Sequence, residues 1–182
     1  MSKVYIKEFD LDNVIIDPTN INITRKEYLD KLKGNSKKIS YLSWCFLKEI
    51  VLENYNVDID NQKLSYNDYG KPIIQNIFFN ISHSKNIVAI AISNSNIGID
   101  IQVVNDKIYA LSSYIDKTLD KYELTKRFSA VEAHYKKNGL GIKKSNIKEN
   151  VIVDYQEVIT LNNNDYVLSV SFDDEIIDVI YK

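Results

Sequence analysis

Residues 78–102 read FFNISHSKNIVAIAISNSNIGIDIQ. Three strands are written into this run, at residues 78–82, 87–93 and 97–102, with polar turns between them. The middle one, Ile87-Val88-Ala89-Ile90-Ala91-Ile92, is apolar on both faces, so it is expected to be central and buried. In the third, side chains alternate. Ile99 and Ile101 turn to the core, and Asp100 and Gln102 share the opposite face.

Upstream, residues 3–9 alternate as an opening strand, and Asp17-Pro18 marks a loop. Thr24 is expected to cap a short helix through Leu32, with Glu27 as its capping-box partner. After the break at Gly34-Asn35, residues 36–54 form the first strong helix, with Ile39, Leu42, Phe46, Ile50 and Val51 on one face. Residues 64–66 suit a short strand, Asn67-Asp68-Tyr69-Gly70 is turn chemistry, and Pro72 cannot continue a helix. Downstream, helices are expected at 107–117 and 122–137, the second stopping at Asn138-Gly139. Four strands are expected in the tail, at 151–155, 158–161, 166–172 and 176–181, with residues 162–165 as a hairpin turn.

Helices followed by strands, twice over, predict an α+β protein of two similar halves, residues 1–103 and 104–182. Each half would carry a small, mainly antiparallel sheet on a long helix. Neither has core enough to stand alone comfortably, so the two are expected to pack face to face. The chain has 182 residues, 45% of them hydrophobic and 26% charged, which argues against global disorder. A formal net charge of -2 gives no general reason to expect a nucleic-acid partner. The single cysteine, Cys45, excludes an intrachain disulfide and, among Trp44, Phe46 and Leu47, reads as a packed helix residue. With two histidines beside it, the composition argues against zinc. No apolar run is long enough to span a bilayer, and the cytoplasm is the expected compartment.

Three groups of residues carry chemistry. Gly70-Lys71-Pro72, followed by Phe79-Asn80-Ile81-Ser82-His83-Ser84, sets a cation, a hydroxyl and an imidazole near a sheet edge, which is a phosphate-binding set. By themselves these residues read as readily as a turn lysine and a strand-end histidine. Asp100 and Gln102 offer a carboxylate and an amide oxygen to a hard cation, although a half-buried strand with a polar face is the commoner use of this pattern. Glu132 and Lys136, four apart, share a face of a helix that leaves through Gly139-Leu140-Gly141, and the ordinary reading of that pair is a surface salt bridge. His134 reads as a surface helix residue.

Taken together and in this order, GKP, FNISHS, GIDIQ and a glutamate-to-lysine helix ending GLG resemble the 4′-phosphopantetheinyl transferase superfamily. The match is to its larger, pseudo-dimeric class, the surfactin-synthetase-activating type, and covers residues 64–142 well. The resemblance implies transfer of the 4′-phosphopantetheine group of coenzyme A to a serine of an apo acyl or peptidyl carrier protein, with release of 3′,5′-ADP and with Mg²⁺ as cofactor. Lys71 and His83 then resemble contacts to the coenzyme A phosphates, Ser82 a contact to the 3′-phosphate, and the backbone of Gly70 to Pro72 a neighbour of the adenine. Asp100 and Glu132 resemble metal-binding acids, with Gln102 where a second strand acid is common. Glu132 is also the implied general base, and Lys136 resembles a pyrophosphate-binding lysine. Ser40 matches a further nucleotide contact, and Arg25 and Lys26 are candidates for the basic residues before the long helix. The chain departs from the pattern at Gln102, at Phe128 where tryptophan is common, and at Val131 where lysine is common. These departures motivate an alternative, a degenerate member that binds coenzyme A or a carrier without transfer. A monomer is expected, with no membrane or nucleic-acid partner.

Overall fold

The structure, a computed structural model, describes residues 2–173 and 177–182, residue 20 by its backbone alone. It is a mixed α+β fold. Its first sheet has the order β4-β5-β1-β9, from β1 (Ser2–Glu8), β4 (Phe78–Ser84), β5 (Ile87–Ser93) and β9 (Ile177–Tyr181). β5 lies between two antiparallel neighbours and all seven of its residues are buried, as its two-sided apolar sequence requires. β9 pairs in parallel with β1. Residue 176, where the last strand was expected to start, lies outside the described residues. A second sheet, β6-β8-β7, is antiparallel and comprises β6 (Gly98–Val103), β7 (Tyr155–Leu161) and β8 (Asn164–Ser171). β2 (Leu64–Tyr66) and β3 (Pro72–Ile74) form a separate two-stranded ribbon. Thus β6, which ends at residue 103, hydrogen-bonds to β8, and β9, from residues 177–181, extends the sheet of β1.

Helix α2 (Gly34–Tyr55) covers one face of the first sheet. Ile39, Trp44, Phe46, Leu47, Ile50 and Val51 meet Tyr5, Phe79, Val88, Ile90 and Ile92 there. Each large side chain so buried contributes roughly 1.5–3 kcal/mol, which holds the helix despite its lack of a side-chain N-cap. The other face of the sheet, Val4, Ile6, Ile87, Ala89 and Ala91, packs on Ile99, Ile101, Leu168 and Val170 of the second sheet. Helix α3 (Lys121–Lys137) contacts β6 and β8. Its N-cap is Asp120, which accepts from the Glu123 N–H, and His134, Lys136 and Lys137 sit in its last turn, where cations suit the helix dipole.

Local expectations were corrected in three places. The short helix α1 (Ile23–Leu29) is capped by Asn22, whose side chain accepts from the Thr24 N–H, so Thr24 itself lies inside the helix. The helix expected at 107–117 is a 3₁₀ helix, Asp106–Leu111, none of whose residues is buried, so no packed face extends it. The strands expected at 151–155 and 158–161 are one strand, β7, paired with β8 along its whole length, while residues 151–153 are not in a strand. The hairpin turns on Asn162 and Asn163, both at positive φ, as a two-residue type I′ connection requires. No helix among the described residues is long and apolar enough to cross a membrane.

Candidate functional site

The site begins with a glycine. A Cβ at Gly98 would collide with the Ala133 carbonyl and the Lys137 nitrogen, so the start of β6 lies directly on the backbone of α3. The absent side chain lets strand and helix approach there. Ser129 and Ala133, small and wholly buried, belong to the same helix. This close approach sets Asp100, two residues along β6, beside Lys136.

The exposed edge of β6 is closed by side chains rather than by a strand. Alternate residues of β4 supply the acceptors. Asn80 Oδ1 accepts from the Ile99 N–H at 3.3 Å, Ser82 Oγ from the Ile101 N–H at 3.2 Å, and Ser84 Oγ from the Val103 N–H at 2.9 Å. All three residues are buried. The ladder satisfies backbone donors that would otherwise be unpaired, and it ties the two sheets in register.

Ser82 does more than its two neighbours. Its hydroxyl donates to Asp100 Oδ1 at 2.9 Å, and the Lys136 ammonium donates to both Ser82 Oγ, at 3.1 Å, and Asp100 Oδ1, at 2.6 Å. Asp100 is 0% exposed. Its second oxygen, Oδ2, is buried and has no hydrogen-bond partner among the described residues. Glu132, one turn before Lys136, has a carboxylate oxygen 3.7 Å from the ammonium. Burial raises the Glu132 pKa above the usual carboxylate value, against the lowering effect of Lys136 and with a further rise from Asp100. The two acids therefore flank one cation, with one oxygen of Asp100 left over. Among the described residues, no cluster of three or more His, Cys, Asp or Glu side chains is disposed to hold a metal. What these two carboxylates offer is hard oxygen, the donor type of magnesium, which commonly takes one or two carboxylates and completes its shell from substrate phosphates and water.

Lys136 also lines a cleft of about 230 Å³, which is bounded as well by Arg25, Ser40, Lys71 and His83 and by the turn at Gly70 and Pro72. Arg25 is 5% exposed. It donates through Nη2 to both the carbonyl and the hydroxyl of Ser40, each at 2.7 Å, and through Nη1 to Tyr66 at 3.3 Å. Its guanidinium lies 4.9 Å from the Tyr28 ring centre and 5.0 Å from that of Trp44. Its Nε–H is buried without an acceptor among the described residues. Hydroxyls, a carbonyl and rings surround it, and among the described residues it has no ion pair. A buried guanidinium without a counter-charge is costly by itself and favours an anion in the cleft.

The Lys71 ammonium rests on the end of α3. It donates to the Lys136 carbonyl at 2.9 Å and the Lys137 carbonyl at 3.4 Å. Burial lowers its pKa from 10.5 to about 8. The turn before it is pinned to the same helix exit, since Asn67 Nδ2 donates to the Gly139 carbonyl at 2.6 Å. Gly139 itself takes φ +65°, the left-handed helix exit open to glycine. The GKP turn and the GLG exit are thus one assembly. His83, on the cleft wall, has its pKa lowered by desolvation and then by Lys136, with Asp100 opposing and Arg25 adding a smaller drop.

Of the residues singled out from sequence, Gly70, Lys71, Pro72, His83, Ser40 and Lys136 reach this one cleft, and Arg25 joins them. Ser82 and Asp100 stand behind Lys136, out of solvent. Gln102, half-buried on the face of Asp100, borders a separate hollow with Asn105, Lys107 and Ile108. Val131 is fully buried, so an apolar side chain there completes the packing of α3. Asn67, Asn80, Ser84 and Gly98 were missed as site-building residues. A polar residue at every second position of β4 was the visible signal for the ladder.

No protein-family model matches the chain. Over 103 residues it is 30% identical to the 4′-phosphopantetheinyl transferase gsp of Aneurinibacillus migulanus, a match that takes in 53% of this chain and 43% of that protein. The chain therefore spans less than half the length of the curated relative it matches.

Proposed function

We propose that this chain transfers the 4′-phosphopantetheine arm of coenzyme A to a serine of an apo acyl or peptidyl carrier protein, releasing 3′,5′-ADP, as a cytoplasmic monomer of the larger, pseudo-dimeric class of that superfamily. The observation that carries the reading is the meeting of Arg25, Lys71, His83 and Lys136 in one cleft, with a buried acid, Asp100, directly behind Lys136. Coenzyme A is a polyanion with a 3′-phosphate and a pyrophosphate, and such a cleft neutralises it. The similarity to a transferase of that name supports the same reading.

Each side chain then has a part. Arg25, an acid-free fork held by Ser40, suits the 3′-phosphate, and the backbone from Gly70 to Pro72 lies beside the adenine. Lys71 and His83 meet the remaining phosphate oxygens. Lys136 exchanges Asp100 for the pyrophosphate, to which a half-exposed lysine can turn. Glu132, its pKa raised by burial, takes the proton of the attacking serine. That hydroxyl forms its bond to the β-phosphorus of coenzyme A, and the bond to 3′,5′-ADP breaks. Positioning and charge neutralisation supply most of such a rate enhancement. Asp100, through its free Oδ2, and Glu132 would hold magnesium, with the Gln102 amide as a third oxygen. Bound there, the ion supplies charge neutralisation on the pyrophosphate.

A second reading is a protein that binds coenzyme A or a carrier without transfer. The Asp100–Lys136 bond, which ties up one acid oxygen, and the place of Gln102 beside a different hollow favour it. Incubation with coenzyme A, magnesium and several apo carrier proteins, followed by intact-mass measurement, separates the two. A mass gain of one phosphopantetheine on a carrier supports transfer. Binding of coenzyme A with no gain on any carrier supports the second reading.

A further inference from the structure

We infer that Ser82 is a positioning residue for Asp100 and Lys136, and that it makes no contact with a ligand phosphate. The inference rests on the reading of the cleft as a coenzyme A site. Ser82 is 5% exposed, and its hydroxyl is fully committed. It has one proton, which goes to Asp100 Oδ1, and its two lone pairs receive the Ile101 N–H and the Lys136 ammonium. No donor remains for a phosphate oxygen, which can only accept. The arrangement has a direction. By bonding Oδ1, Ser82 and Lys136 together fix the rotation of the carboxylate and leave Oδ2 as the oxygen without a partner among the described residues. Ser82 is in turn held by the backbone of β6 one residue beyond Asp100, so strand, hydroxyl and carboxylate form a closed unit.

Ser84 provides the control. It makes the same kind of ladder bond, to the Val103 N–H at 2.9 Å, and has no bond to Asp100. A purely architectural role for the ladder predicts equal effects of Ser82→Ala and Ser84→Ala. A role in aiming Asp100 predicts an effect of Ser82→Ala alone.

The experiment measures two things in the full chain. One is Mn²⁺ affinity by electron paramagnetic resonance, without coenzyme A. The other is the ratio of affinities for coenzyme A and 3′-dephospho-coenzyme A. Ser82→Ala is expected to weaken Mn²⁺ binding by about tenfold, the lower end for losing a group that orients a metal ligand. Ser82→Thr is expected to restore it, and Ser84→Ala to leave it unchanged. The affinity ratio is expected to be the same in Ser82→Ala as in the natural protein, because the 3′-phosphate has lost no contact. A ratio falling toward one in Ser82→Ala would instead place the hydroxyl on the 3′-phosphate and overturn the inference. So would unaltered Mn²⁺ affinity in Ser82→Ala, or an equal loss in Ser84→Ala. A natural protein that binds coenzyme A while Ser82→Ala fails these tests overturns the positioning role alone. One that binds neither Mn²⁺ nor coenzyme A overturns the functional reading with it.

Discussion

The Asp100 carboxylate of β6, wholly out of solvent, receives the Lys136 ammonium of α3 at 2.6 Å, while 28% of the lysine side chain remains exposed. The pair is unequal. Lys136 keeps contact with water and lines the cleft, whereas Asp100 lies directly behind it, covered by Lys136 and Ser82. Removing the cation strands a buried charge, and removing the acid frees a lysine that can turn outward.

That inequality makes a stability prediction. Lys136→Met is expected to cost about 3–5 kcal/mol, the scale for leaving a buried charge unpaired. Asp100→Asn, which keeps the shape and can still accept from Ser82 or Lys136, is expected to cost distinctly less. Urea unfolding of both variants checks the order, and equal losses would contradict the burial argument. Carrier modification is expected to be abolished in folded Asp100→Asn, and near-normal turnover there would remove Asp100 from the chemistry.

Gly98→Ala is expected to destabilise by about 1–3 kcal/mol or more, because the new methyl meets backbone of α3 and no flexible side chain can yield. The strand and helix must separate, and the Asp100–Lys136 contact separates with them. Transfer activity is therefore expected to fall further than the unfolded fraction explains. Activity assayed well below the unfolding midpoint tests this, and retained activity would show that the helix can shift without disturbing the site.

Elements whose signal is local and periodic were legible. The two-sided apolar run predicted a buried β5, and the spaced apolar residues predicted α2. The polar run 162–165 predicted a hairpin turn, which is made by Asn162 and Asn163 while Asn164 and Asp165 already belong to β8. Asn22 and Thr24 both suit an N-cap, so their order was decided by chain geometry, with Asp60 accepting from the Asn22 N–H. The ladder from β4 to β6 joins side chains to the backbone of a strand that is not a sheet neighbour. The alternating Asn80, Ser82 and Ser84 mark the polar face of β4, but not which strand they meet. Arg25 was one of two candidates, with Lys26, for the basic residues before the long helix, and nothing local told them apart. Its burial against Trp44, Tyr28 and Ser40 is tertiary, and so is the pinning of Lys71 to α3.

Lys71 predicts a pH dependence. Its pKa of about 8 means that the cation is present below pH 8 and is lost above it, whereas an ordinary lysine would stay charged to about 10.5. Phosphate binding favours the charged form, so coenzyme A association near pH 8–9 is expected to take up protons and to weaken as pH rises. Calorimetry in buffers of different ionisation enthalpy reads that uptake. Lys71→Arg, charged throughout, is expected to abolish it, and an unchanged uptake in that variant would assign the proton elsewhere. His83 behaves in the other range. Its lowered pKa leaves it neutral at pH 7.5, so His83→Ala is expected to cost more affinity at pH 6 than at pH 7.5.

Gln102 supplies the sharpest test of the metal proposal. It follows Asp100 by two residues on the same strand, so their side chains leave β6 on one face. Its amide oxygen can meet a hard cation but brings no charge. If it is a ligand, Gln102→Glu is expected to lower the magnesium needed for half-maximal transfer by about tenfold, or about 1.4 kcal/mol. The surroundings offer a competing outcome, because Gln102 borders the hollow shared with Lys107. A new carboxylate could pair with that ammonium instead of with the metal. The double variant Gln102→Glu with Lys107→Met removes the competitor, so the full shift in magnesium dependence is expected there. An unchanged dependence in both variants of an active protein would place Gln102 outside the metal shell and leave the two acids beside Lys136 to act without it. A natural protein inactive at high magnesium, yet active as Gln102→Glu, would instead identify the missing charge as the reason for lost catalysis.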